Sequence, residues 1–137
     1  MEFGPVDLVT FVLYGVLLAT TVAFAPRGPL WIAGVCLSVV CAVLWVVARV
    51  QLGAAFSVRP EARRLVTTGL YSRLRHPIYV FGTLAVLLAL LALQGWGALA
   101  VWIIVIPIQV VRARREDKLL EEAFGTEYAV WRDSTWF

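Results

Sequence analysis

LWIAGVCLSVVCAVLWVVA, residues 30–48, carries no charge and no proline. At ~1.5 Å per residue a helix of this length reaches ~28 Å, close to the thickness of a bilayer's hydrocarbon core. The run therefore reads as a membrane-spanning helix, and the segments around it follow suit. Residues 6–25 form a second long apolar run. Residues 78–93 and 98–111 are shorter and are joined by Gln94-Gly95-Trp96-Gly97, a turn signal, so they read as a helical hairpin. At ~21 to 24 Å each, these two need help from Trp96 and flanking arginines, or a thinner bilayer, to cross. The composition agrees: 61% of the 137 residues are apolar, six are tryptophan, and charge is confined to a few blocks. The reading is an all-α integral membrane protein, one domain over residues 1–137. Its four transmembrane helices lie at 6–25, 30–48, 78–93 and 98–124, with a loop at 49–77.

Charge sets the orientation. Arg49, Arg59, Arg63, Arg64, Arg73 and Arg75 lie between the second and third helices, and Arg112, Arg114, Arg115, Lys118 and Arg132 follow the fourth span, whereas the first turn has Arg27 alone. The positive-inside rule then places both termini and the middle loop in the cytoplasm of a multi-pass protein. The first run lacks a basic start and a small-residue cleavage site, so it reads as a retained helix rather than a secretory signal. The net charge of +3 comes from membrane-proximal arginines, which points to anionic lipid and away from nucleic acid. Cys36 and Cys41, five apart on one helix, fall on different sides of it and read as packing residues. No zinc-like spacing, phosphate loop or Ser/His/Asp grouping is visible.

Two polar stretches remain to carry chemistry. Gly69-Leu70-Tyr71-Ser72-Arg73-Leu74-Arg75-His76-Pro77-Ile78-Tyr79 holds the sole histidine. Proline is tolerated at the first position of a helix, so Pro77 opens the third helix with His76 at its cap. A helix start flanked by Arg73 and Arg75 favours anions. His76 can equally be a plain interfacial histidine, Tyr71 and Tyr79 interfacial anchors, and the arginines topology signals only.

The second stretch continues the fourth helix into the cytoplasm as an amphipathic segment, with Gly125 as its stop. Positions 112, 116, 119, 120 and 123 share a face expected to turn toward protein, while Asp117, Lys118, Glu121 and Glu122 are expected to meet water. Arg112 and Glu116 read either as an exposed i,i+4 ion pair or as site residues. The order Arg before Glu is the weaker one for a helix pair. Pro107 is either a kink that opens the hairpin or a proline that a membrane helix tolerates.

Several blocks, taken together, resemble a family: Leu52-Gly53 with Phe56-Ser57-Val58, then Leu65-Val66-Thr67-Thr68-Gly69-Leu70-Tyr71, Arg75-His76-Pro77-Ile78-Tyr79, and Arg112 with Glu116-Asp117 and Phe124-Gly125-Thr126-Glu127-Tyr128. Their order and spacing are similar to those of the isoprenylcysteine carboxyl methyltransferases, whose wider group includes the phospholipid N-methyltransferases. The resemblance implies a small helical membrane enzyme that uses S-adenosylmethionine without a soluble nucleotide-binding domain. It also implies that Arg63, Arg64, Leu65, Val66, Tyr71, His76, Pro77, Ile78 and Tyr79 line the cofactor, that Glu116 closes the site, and that Arg112 faces the substrate. Phe81 stands where the family often has glycine, Phe56 where it has a polar residue, and Asp117 where a second glutamate is common.

The implied reaction is methyl transfer to a lipophilic acceptor that enters from the bilayer, with carboxyl O-methylation first. N- or S-methylation of a lipophilic amine or thiol is the alternative. A non-catalytic membrane module that binds a lipid or a partner helix is the rival from another class.

Overall fold

The computed structural model describes residues 5–53, 65–93 and 97–136. Among these residues all regular secondary structure is helical, with no strand. Helix α1 spans Pro5–Phe24, α2 Pro29–Leu52, α3 Pro77–Ala92 and α4 Gly97–Ser134, with a short 3-10 turn at Gly69–Ser72 before α3. Proline occupies the first turn of both α2 and α3, where its missing N–H costs nothing. His76 is the N-cap of α3, as its place before Pro77 implied.

Helix α2 runs four residues past the expected end at 48, and this extension buries Arg49 at 7% exposure. Arg49 Nη1 donates to the carbonyl of Gly53 at 3.3 Å, so a residue counted as the start of the basic loop instead caps its own helix. The expected stop at Gly125 is a break within α4: its φ of +49° is non-helical, yet helical structure resumes and runs to Ser134. Glycine tolerates that φ, and the chain uses it to turn the last segment back onto the bundle. Of the turn expected at Gln94-Gly95-Trp96-Gly97, Gly97 is instead the first residue of α4, while residues 94–96, Phe56, and the pair Arg63 and Arg64 lie outside the described residues.

One helix among the described residues, Pro29–Leu52, is long and apolar enough to cross a membrane, with a mean hydropathy of 2.6 over its best window. Val12–Phe24 and Pro77–Ala92 are apolar but shorter. The packing is inverted relative to a water-soluble bundle. Leu13, Val16, Leu37, Val43, Ile103 and Ile104 point outward, each more than half exposed, whereas Thr21, Ser38, Ala85, Ala89 and Ala92 are buried. Small residues let helix backbones approach, and buried hydroxyls bond across helices.

Gly34 and Ser38 of α2 meet the Ala85, Ala89 and Ala92 stripe of α3. A Cβ at Gly34 would stand 2.9 Å from that of Ala92. Ser38 Oγ donates to the carbonyl of Ala85 at 2.7 Å, and the Tyr14 hydroxyl lies 2.7 Å from the same Oγ. Thr21 Oγ1 reaches the carbonyls of Leu17 and Ala89, and Trp31 Nε1 donates to the carbonyl of Thr21, tying α1 to α3 and α2. Gly82 leaves room for the Trp45 indole, 3.1 Å from where its Cβ would be, so the glycine one place after Phe81 has a packing role. Cys36 and Cys41 are free thiols.

Candidate functional site

The polar residues gather at the end of the bundle where α2 stops, α3 starts and α4 leaves its apolar stretch. The site rests on a compact cluster of Ala48, Val66, Tyr71, Tyr128 and Trp131, with Leu52, Leu65, Leu70, Ile78, Leu120 and Phe124 packed against it. This cluster explains why the loop before α3 takes one shape. Leu70 N–H donates to Gln51 Oε1 at 2.8 Å, and Gly69, at φ +64°, sits where any Cβ would be 2.5 Å from that side chain. Trp131 Nε1 donates to the carbonyl of Tyr71 at 2.8 Å, and Trp136 N–H to that of Arg73 at 2.9 Å. The Arg73 guanidinium lies over the Trp136 ring, 5.9 Å from its centroid. The segment after Gly125 thereby clasps the loop that carries Tyr71 to His76.

Tyr71 is 5% exposed. Burial, followed by the nearby charges of Glu116 and Tyr79, pushes its phenol well above the usual range, and Arg49 offsets only part of this. It remains a neutral hydroxyl at any physiological pH. The Tyr79 hydroxyl is within electrostatic reach of both Glu116 and Arg112. The Arg112 guanidinium lies over the Tyr79 ring at 5.7 Å, near the outer limit of a cation–π contact. Arg112 is exposed and Glu116 half-buried, so the face expected to turn toward protein divides: Leu120 packs on the core, while Arg112 and Ala123 stay open.

Asp117 overturns its assignment to water. It is half-buried; Nε2 of His76 lies 3.0 Å from its Oδ1, the Tyr128 hydroxyl donates to the same oxygen, and Arg75 Nη1 lies 3.8 Å from Oδ2. Partial burial alone would raise its carboxyl, but hydrogen bonds from His76 and Tyr128 and the charges of His76 and Arg75 outweigh it and hold the carboxyl below the usual range. Burial, then Asp117 itself, pushes the Tyr128 phenol up to about 12. The other ring nitrogen of His76, Nδ1, is 3.9 Å from Glu116 Oε2. Lys118, Glu121 and Glu122 are exposed as expected.

The residues named from sequence thus divide by depth. His76, Tyr79, Arg112 and Glu116 come together at the surface of the site, with Tyr71 beneath them. Val66 and Pro77 are buried, and Leu65 and Ile78 pack against the core below, positions from which they shape the site. Arg49, Asp117 and Tyr128 were missed. Asp117 carried a signal in the resemblance, where it takes the place of a second glutamate. Tyr128 carried one too, as the last residue of the block Phe124-Gly125-Thr126-Glu127-Tyr128.

The group implied by the resemblance, S-adenosylmethionine, pairs an amino-acid end with a cationic sulfur. The residues present are of matching chemistry: an acceptor carboxylate at Glu116, the His76 ring beside it, donors at Arg112 and Tyr79, and an Arg75 Nε that is buried with no hydrogen-bond partner. Among the described residues no group of three or more His, Cys, Asp and Glu is arranged to hold a metal ion. A family model described as PEMT, phospholipid methyltransferase, matches residues 28–127. No curated protein and no solved structure matches the chain.

Proposed function

The chain belongs to the phospholipid methyltransferase family, and from that membership we propose that it is an integral membrane enzyme transferring a methyl group from S-adenosylmethionine to a lipophilic acceptor. The observation that supports this most is the convergence of His76, Tyr79, Arg112 and Glu116, from two helices more than thirty residues apart, where the apolar part of α4 gives way to charge. In this reading α1, α2, α3 and the first part of α4 cross the bilayer, both termini are cytoplasmic, and the site opens to the cytoplasm. Arg63 and Arg64, with Leu65, Val66, Tyr71, His76, Pro77, Ile78 and Tyr79, border the cofactor, and Glu116 closes it in.

The cofactor supplies, when bound, a methyl group on a positively charged sulfur. The protein's part is alignment, since bringing two reactants together removes much of the barrier of a bimolecular step. Arg112, held against the Tyr79 ring and open on its other side, presents a planar fork of donors suited to a carboxylate. That favours an acidic lipophilic acceptor and carboxyl O-methylation, the reaction of the isoprenylcysteine carboxyl methyltransferases. A second reading, methylation of a lipid amine, is favoured by the His76–Asp117 contact, because such an acceptor must lose a proton and a histidine beside a carboxylate can take it. The acceptor enters between helices from the bilayer, the cofactor from the aqueous side.

Equilibrium binding of S-adenosylmethionine in detergent, followed by transfer of labelled methyl to acidic and to amine-bearing lipids, tests the proposal. Transfer to the acidic class supports the carboxylate reading and transfer to the amine class the second. Binding without transfer to any lipid would favour a non-catalytic module.

A further inference from the structure

We propose that Thr83 and Gln109 form a specificity subsite, binding a hydroxyl group that the acceptor carries on its chain about one helix turn from the acid end that Arg112 holds. That role rests on the reading of Arg112 as the partner of an acidic lipophilic acceptor, and it decides which acids of that class are preferred.

Helices α3 and α4 meet in a row of polar pairs. His76 Nδ1 lies 3.9 Å from Glu116 Oε2, the Arg112 guanidinium 5.7 Å from the centre of the Tyr79 ring, and Gln109 Nε2 3.5 Å from Thr83 Oγ1. Positions 76, 79 and 83 ascend along one segment while 116, 112 and 109 descend along the other, so the two run antiparallel. Steps of three or four keep one face of each helix in register, and each pair stands about 5 Å further along the seam than the last. The same register sets Val86 opposite Ile106, both 38% exposed. The seam thus changes from charged to neutral polar to apolar. A lipophilic acid with a hydroxyl on the near part of its chain presents its groups in that order.

Helix packing accounts poorly for the Thr83–Gln109 pair. Apart from Trp102, Gln109 is the sole polar side chain in residues 98–111, and Thr83 and Tyr79 are the sole ones in 78–93. Hydrogen bonds across membrane helices contribute little on average, and at 3.5 Å this one is at the outer limit of the interaction. Thr20 and Thr21 donate their hydroxyl hydrogens to the carbonyl of Leu17, and Ser38 donates to that of Ala85. Thr83 Oγ1 instead accepts from Gln109, and among the described residues nothing takes its own hydrogen. The amide oxygen of Gln109 is likewise left to accept. The half-buried pair therefore offers one donor and one acceptor side by side, the complement of a hydroxyl, which accepts and donates at a single oxygen. A bare hydrocarbon chain laid across it would leave both groups unpaired and out of water, so the site disfavours the unsubstituted acid.

Equilibrium binding of three fatty acids of equal chain length to the protein in detergent micelles tests this. They are the unsubstituted acid, its β-hydroxy derivative, and the isomer with the hydroxyl near the methyl end. The β-hydroxy acid should bind about fivefold to tenfold more tightly than its isomer, the effect of one hydrogen bond. In Gln109→Leu and in Thr83→Val that ratio should fall to near one, while Thr83→Ser, which keeps the hydroxyl, should retain it. A pair that only joins the helices would weaken both isomers alike on substitution and leave their ratio unchanged. That result, or a ratio near one in the parent protein, would overturn the proposal.

The carboxylate reading is tested apart, since Arg112→Ala should weaken all three acids. Acids that bind Arg112→Ala as well as the parent remove that reading. Acids that bind the parent with no preference between isomers remove the hydroxyl subsite alone, and binding of none of the three overturns both.

Discussion

Trp131 donates its indole N–H to the backbone carbonyl of Tyr71, sixty residues earlier in the chain, at 2.8 Å, and both side chains are buried. This bond is the centre of the clasp that the segment after Gly125 forms over the loop leading into α3. Trp131→Ala should remove both the bond and a large buried surface, at ~3 to 5 kcal/mol. Trp131→Phe should cost less, chiefly the penalty of leaving a buried carbonyl unpaired, ~1 to 3 kcal/mol. Unfolding in detergent micelles reads both, and equal stability of Trp131→Ala and the parent would remove the clasp from the account.

Gly34→Ala tests the close approach of α2 and α3. The new Cβ would lie 2.9 Å from Ala92 Cβ and 3.1 Å from the Leu88 carbonyl, neither of which is the end of a flexible side chain. Separating the helices to accept it should destabilise the protein by ~1 to 3 kcal/mol, the usual cost of overpacking. Gly28→Ala, where nothing lies within 4 Å, serves as the comparison.

Stability should fall at both ends of the pH range through the same contact. The Asp117 carboxyl is depressed in the folded state, so its contribution is present above the ordinary carboxylate value of ~3.9 and is lost as pH falls through the lower folded value. The Tyr128 phenol is raised from 10.0 to about 12, so its contribution is present below pH 10 and is lost as pH climbs from there toward 12. Thermal unfolding of Tyr128→Phe across this range should show a smaller alkaline loss than the parent. Part of the loss should remain, because Tyr71 is raised as well.

Much of this was legible in the chain because apolar run length and proline position act locally. Residues 30–48 and Pro77 announce their helices whatever surrounds them. Asp117 was misassigned for a physical reason: helical periodicity places it beside the water-facing Lys118 and Glu121, and only the reversal at Gly125 brings Tyr128 back to meet it. Arg49 was likewise counted as loop charge because the helix was ended at the last residue of the apolar run, 48, whereas its stop is Gly53, at φ +52°, whose carbonyl Arg49 reaches. The inward hydroxyls of Thr21 and Ser38 are visible as residues, but not as bonds to the α3 backbone.

Orientation is a separate expectation. Tags at either terminus, or within residues 51–70, should be accessible from the cytoplasm, and one near Arg27 from outside. Termini labelled on opposite faces would contradict the four-span arrangement.

The most direct measurement of the central claim is calorimetric titration of S-adenosylmethionine into the detergent-solubilised protein and its Glu116→Ala and Arg112→Ala variants, with methyl transfer to an acidic lipophilic acceptor followed in parallel. The parent should bind in the micromolar range, ~−8 kcal/mol. Glu116→Ala should weaken binding by ~1.5 to 3 kcal/mol. Arg112→Ala should bind nearly as the parent but turn over poorly, and Arg112→Lys should restore little, since a point charge does not replace a bidentate fork. No heat and no competition at millimolar cofactor, or variants that bind and methylate like the parent, would contradict the account.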